Sequence, residues 1–188
     1  MNLPNALTYS HYLLSECVGP GATVVDATVG HGNDTIFLAN LVGPSGRVIG
    51  FDVQATAIAA TQQQLLLTGL GPQVTLHQTG HEHVADFLTD TTSVTAAIFN
   101  LGYLPGGDKN LTTKPATTLT AVRAILPHLP RGGRIILVVY AGHPSGKLER
   151  SALLDFCQQL PQNDYQVLRY GFINQIHTPP FLLAIERR

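Results

Sequence analysis

Two stretches of this chain put chemistry-bearing side chains at spacings that a folded domain can use. The first is Asn100-Leu101-Gly102-Tyr103-Leu104-Pro105-Gly106-Gly107-Asp108-Lys109, directly after the apolar run Ala96-Ala97-Ile98-Phe99. The Asn100 side-chain oxygen and the Leu101 carbonyl can each accept an N–H, and Tyr103 offers an aromatic face to a planar acceptor such as a base. This set suits an amine whose lone pair must be aimed at an electrophile. A charged amine has no lone pair, so a proton must leave. Asp108 is the candidate to orient or deprotonate the amine, with release to water as the alternative. Lys109 reads as a phosphate contact rather than a base. The second stretch runs from Asp26 to Thr35: an acid at a strand end, Gly30 and Gly32 in a turn, then a helix that Asn33 or Asp34 can cap. Such a turn lets a ligand approach the backbone, and the helix start offers N–H groups. A nucleotide-like cofactor is the natural guest.

The elements that must hold these residues can be read from apolar spacing. Residues from Asn5 to Val18 have helical spacing and end at Gly19-Pro20-Gly21. Val24-Val25-Asp26 is a strand, and the helix through Ile36-Phe37-Leu38-Ala39 follows the glycine turn. Arg47–Asp52 is the second strand, and it places Asp52 where nucleotide-binding folds put the acid for the ribose hydroxyls, with Val53 and Gln54 near the adenine. A helix over Ala55–Thr68 and a strand over Val74–His77 come next. Gly80-His81-Glu82-His83 opens a helical stretch, where His81 and Glu82 flank the adenine or cap the helix. A metal is not expected there, because neither a helix nor a strand aims three successive side chains at one ion. Pro115–Leu129 reads as a helix, Arg134–Tyr140 as the long and central apolar strand, and Ser145–Leu160 as the last helix. Tyr165–Phe172 and Phe181–Glu186 are closing strands. Tyr140 and His143, with Glu149 one turn on, either wall the acceptor pocket or form a plain helix-entry loop. The alternation predicts one α/β domain over residues 1–188, with a mostly parallel, doubly wound sheet, helices on both faces and an antiparallel last strand.

Composition narrows the function. The chain has 188 residues, of which 44% are hydrophobic and 12% charged, so it can bury a full core and is not disordered. The formal net charge of -1 advertises no broad basic surface for nucleic acid, although a local basic groove remains open. Cys17 and Cys157 lack metal-ligand spacing and read as free thiols of a reducing cytoplasm. No leader and no membrane span is expected.

Asp26 before Gly30-x-Gly32 resembles the first motif of S-adenosylmethionine (SAM) methyltransferases, where the carboxylate reaches the cationic amino-acid end of the cofactor directly or through water. Thr35 fills the third glycine position of a dinucleotide fingerprint, which disfavours NAD. Asn100-x-x-Tyr103 resembles the Asn-Pro-Pro-Tyr motif of amine methylases, with Leu-Gly for Pro-Pro. The segments 26–35, 99–109, 140–143 and 179–186 together resemble the small bacterial proteins labelled rRNA methylases, the MnmM-type tRNA wobble-uridine methyltransferases. The resemblance covers nearly the whole chain. It implies a seven-stranded Rossmann-like methyltransferase fold, SAM as cofactor, the amine of 5-aminomethyl-(2-thio)uridine as substrate, the tRNA anticodon stem-loop as partner and a homodimer. On this reading Asp26, Thr28, Gly30, Gly32, Asn33, Asp34, Thr35, Asp52, Val53, Gln54, His81 and Glu82 hold the cofactor together with Asn100. Asn100, Leu101, Tyr103 and Asp108 serve the reaction, while Gly106, Gly107, Lys109, Tyr140 and His143 join Tyr103 and Asp108 in binding substrate. Lys109, Lys114, Arg123, Lys147 and Arg150 are the candidate RNA contacts. The chain departs from the family at Ala141, where proline is expected, and at His177, where asparagine is expected. The alternatives are rRNA or a small amine as acceptor, an NAD-dependent oxidoreductase, and a non-catalytic nucleotide-binding regulator.

Overall fold

A computed structural model describes residues 3–103, 111–140, 142 and 144–188. Seven strands form one sheet in the order β3-β2-β1-β4-β5-β7-β6. They are β1 (Thr23–Asp26), β2 (Arg47–Phe51), β3 (Val74–His77), β4 (Ala96–Leu101), β5 (Arg134–Val139), β6 (Tyr165–Tyr170) and β7 (Phe181–Arg187). The first five run parallel, and β7 pairs antiparallel with both β5 and β6. The helices are α1 (Ala6–Ser15), α2 (Asn33–Val42), α3 (Ala55–Thr68), α4 (Pro115–Ile125) and α5 (Pro144–Gln158), with a 3-10 helix at His81–Phe87.

The parallel strands are apolar on both faces because helices cover both. In β5, Ile135, Leu137 and Val139 point into one core, shared with α4, α5 and the 3-10 helix. Ile136 and Val138 point into the other, shared with α1 and α2. Chain order moves outward from β1 to β3 and then returns to β4 on the other side of β1. This reversal opens a crevice between the carboxyl ends of β1 and β4.

Three expectations need correction. β5 is interior, between β4 and β7, but the middle strand is β4. The helix expected over Pro115–Leu129 ends at Ile125 and tightens into a 3-10 turn at Leu126–His128, where Pro127 has no N–H to continue the α ladder. Neither Asn33 nor Asp34 caps α2. The cap residue is Gly32 at φ 78, and no side chain bonds to the cap.

α1 is held down along its length. Asn5 caps it by accepting from Thr8 N–H at 2.9 Å, and Tyr170 Oη donates to Pro4 O at 2.6 Å. Near the other end Arg134 Nη1 donates to Leu13 O at 2.7 Å while its Nε is paired with Glu186 at 2.6 Å. Tyr9 stacks on Tyr170 at 4.2 Å.

Candidate active site

A cavity of about 1050 Å3 occupies the crevice. Its wall is built by the residues that follow β1, β2, β3, β4 and β5, together with Leu7 of α1. Of the sequence candidates, Thr28, Gly30, Asn33, Asp34, Asp52, Val53, Gln54, His81, Glu82, Asn100, Leu101, Tyr103 and Tyr140 line it. Asp108 lies outside the described residues, as do Gly106, Gly107, Lys109 and His143.

The turn after β1 is held by strand-end acids. Asp52 Oδ2 accepts from Gly30 N–H at 2.8 Å, and its Oδ1 accepts from Gln54 N–H at 2.9 Å. Each oxygen keeps a second lone pair, which suits vicinal hydroxyls. Val29 N–H donates to Phe51 O at 3.0 Å and Gly32 N–H to Val29 O at 2.8 Å. The amides at Thr28, Val29, Gly30 and Gly32 are therefore bonded within the turn or to the end of β2.

Asp26 also corrects its expected role. It is 0% exposed and sits behind the cavity wall. Its Oδ1 accepts from Thr28 N–H at 3.1 Å, and its Oδ2 accepts from Thr35 Oγ1 at 2.6 Å. A carboxylate engaged in this way fixes the turn. Burial, and then the nearby Asp34 charge, push it up to about 7. Thr35 is likewise fully buried. Gly32 is needed for its left-handed backbone and for contact with α3, since a Cβ there would meet Thr61 Oγ1 at 2.7 Å. None of these three lines the cavity.

His81 is buried on the wall. Its Nδ1–H donates to Ala27 O at 3.0 Å, and its Nε2 is buried with no partner among the described residues. Burial holds the imidazole below its ordinary value, so it is neutral and Nε2 is an open acceptor. This orphan suits the exocyclic amine of an adenine, and the Asp52 carboxylate suits a ribose. The donor set fits SAM.

On the opposite side, Thr28 Oγ1 accepts from Asn100 N–H at 2.7 Å and ties the β1 turn to the end of β4. Asn100 Nδ2 donates to Asp34 Oδ2, while Asn100 Oδ1 is buried without a partner among the described residues. Asp34 Oδ1 accepts from His11 Nε2 at 2.6 Å. Tyr140 follows β5. Burial, and then the Asp34 charge, raise its phenol above the ordinary value, so it stays protonated. Tyr103 pairs with Thr112 in an antiparallel bridge, and Gly102 and Thr113 bond to each other beside it. Glu149, 1% exposed, accepts from Thr113 Oγ1 and Thr118 Oγ1 at 2.7 Å each. It therefore ties α5 to the Thr113 loop and to the first turn of α4 rather than facing the pocket.

Among the expected RNA contacts, Lys114 lines the cavity and Lys147 is exposed on α5. Arg123 lies over Phe156 at 5.0 Å, and Arg150 over Phe181 at 5.8 Å. The sequence reading missed Arg169, which shares the Phe181 ring at 4.9 Å. It also missed His11, Leu7 and Thr112, because nothing in their local spacing points to the site. Among the described residues no helix is long and apolar enough to cross a membrane.

Comparison with known proteins agrees with this geometry. Residues 48–186 match the family described as "Putative rRNA methylase". A chloroplastic tRNA (mnm(5)s(2)U34)-methyltransferase of Arabidopsis thaliana is 34% identical over 191 aligned residues, which cover 97% of this chain and 69% of the relative. A Clostridium thermocellum protein carrying the same rRNA-methylase description superposes with a TM-score of 0.97 at 42% identity, over 100% of both chains. A Streptococcus mutans methyltransferase homologue whose structure holds SAH superposes with a TM-score of 0.90 at 39% identity, again over 100% of both. The chain belongs to this rRNA-methylase family and is a SAM-dependent methyltransferase with a Rossmann-like fold.

Proposed function

We propose that this enzyme methylates the amine of 5-aminomethyl-(2-thio)uridine at the wobble position of tRNA. The observation that carries this reading is the Asn100 side chain. Its Nδ2 is committed to Asp34, and its buried Oδ1 has no partner among the described residues, so it is an acceptor for the N–H of an amine. The Arabidopsis relative, named for a wobble-uridine reaction, supports the same acceptor. SAM supplies a methyl group already activated on a sulfonium. The chain contributes position: Asp52 takes the ribose hydroxyls, His81, Glu82 and Val53 flank the adenine, and Asn100 with the Leu101 carbonyl turns the amine lone pair toward the methyl. Tyr103 and Tyr140 enclose the uracil ring, and Tyr140 offers its O–H to it. The amine proton passes to Asp108 or to water.

Arg150 and Arg169 support an RNA partner. Both guanidinium groups rest on Phe181, next to the cavity-lining Pro180, and neither has a carboxylate within ion-pair distance among the described residues. They suit phosphates. Ile173 and Ile176, 101% and 97% exposed, support burial against a second copy in a homodimer, which light scattering measures directly.

The reading is tested by incubating tRNA from a strain lacking the enzyme with the protein and SAM, digesting it to nucleosides and weighing them. A one-methyl gain on the aminomethyl wobble uridine is expected. A gain on rRNA or on a small amine, with none on tRNA, would overturn the substrate while leaving the methyltransferase intact.

A further inference from the structure

We propose that His11 and Asp34 are positioning residues that set which end of the Asn100 amide faces the acceptor amine. The inference rests on the amine-methylation reading above. An asparagine amide has two ends of nearly equal shape and opposite chemistry, a C=O that accepts and an NH2 that donates. Only the oxygen can clamp an amine N–H and leave its lone pair free. Turned the other way, the NH2 would donate into that lone pair and occupy the electrons that must attack the methyl. The orientation of this one amide therefore decides between a nucleophile and a blocked nucleophile.

The fold supplies a device that decides it. A carboxylate only accepts, so Asp34 Oδ2 can face Nδ2 of Asn100 but repels Oδ1. Asp34 is in turn kept in place by His11, whose Nε2 donates to Oδ1 at 2.6 Å. The Asp34 side chain is 8% exposed and that of His11 32%, so the pair is mostly shielded from competing water. The His11 ring stacks on Phe37 with centroids 4.0 Å apart and planes 8° from parallel. α1 itself is fixed by Tyr170 and Arg134. Three elements distant in sequence, α1, α2 and β4, thus converge on one amide. The arrangement also explains why Asp34 does not cap its own helix: both its oxygens are engaged across the fold.

The test uses the full-length protein, with His11→Phe to keep the ring on Phe37 without the donor and His11→Gln to restore a donor. Three quantities are read: SAM affinity by calorimetry, kcat and KM on tRNA bearing the aminomethyl wobble uridine, and the Asn100 side-chain 15N–H resonance, assigned by its loss in Asn100→Asp. In His11→Phe, kcat is expected to fall about tenfold with KM and SAM affinity unchanged, the Asn100 N–H to lose its protection from exchange, and His11→Gln to recover most of both. Asp34→Ala should show the same pattern more strongly, and it replaces His11→Phe if that variant does not fold. Wild-type kcat and an unchanged Asn100 resonance in His11→Phe would overturn the proposal. So would SAM affinity falling in step with kcat, which would place the pair in the cofactor site. If the wild type methylates no aminomethyl uridine, the substrate reading fails, and the resonance alone then judges the network.

Discussion

The two halves of the cavity are built differently. In the cofactor half, backbone amides close on strand-end carboxylates: Gly30 and Gln54 on Asp52, and Thr28 on Asp26. In the acceptor half, side chains meet side chains from remote parts of the chain: His11 with Asp34, Asp34 with Asn100, Thr113 and Thr118 with Glu149. Backbone-made sites follow from topology and tolerate sequence change, because the peptide group is the same in every residue. Side-chain networks are specific, and losing one member leaves a buried polar partner unsatisfied. The first design suits a cofactor common to many enzymes. The second suits one acceptor amine.

Substitutions can break this contrast at several points. The largest effect on SAM affinity is expected at Asp52→Ala, which removes the proposed ribose acceptor and releases the Gly30 and Gln54 amides. SAM affinity measured by calorimetry should fall by about 100-fold, equal to ~2.7 kcal/mol, while kcat at saturating SAM stays near wild type. A similar loss of kcat would mean that the halves are not separable.

Asp26→Asn tests the buried side of the cofactor half. Asp26 is pushed up to about 7 in the fold, well above the ordinary value of 3.8. A raised acid binds its proton more tightly folded than unfolded, so its contribution is fully present below the unfolded value and is lost as pH rises through the folded one. Wild-type stability should therefore decline from this source between pH 3.8 and about 7, and the decline should shrink in Asp26→Asn, whose amide can still accept from Thr28 N–H and donate to Thr35 Oγ1. Urea melts across that range read the slope directly. Equal slopes in both proteins would contradict the assignment.

The smallest effect is expected at Arg169→Ala, on the rim. It should weaken tRNA binding modestly, by lowering the slope of log K against log salt by about one, and should leave SAM affinity unchanged. An unchanged slope would remove Arg169 from the RNA path.

The same contrast explains what the sequence shows and what it hides. Asp52 and the Gly30 turn are legible because their partners lie within one strand–turn–helix–strand unit, where spacing carries the geometry. Asn100 and Tyr103 are legible as residue types that follow a strand. The antiparallel β7 likewise matches the expectation from two successive closing strands. Asp26 was misplaced because the same residue type at a strand end can face a ligand or turn inward, and only the Thr35 hydroxyl nine residues on decides it. His11 was invisible. Its partner is 23 residues away, and Asp34 in turn meets Asn100 66 residues further on, so no local pattern records either contact. Long-range side-chain networks are where sequence periodicity stops informing, because they depend on how finished elements pack.

The measurement that tests the account most directly is a single turnover by Asn100→Ala. The enzyme is saturated with SAM, its occupancy is checked in the same sample, and tRNA bearing the aminomethyl wobble uridine is added and digested for mass spectrometry. The account predicts full SAM occupancy with methylation slowed by about 100-fold or more, because the amine is no longer aimed. Methylation at the wild-type rate would contradict the amine clamp and, with it, the proposed division of the cavity.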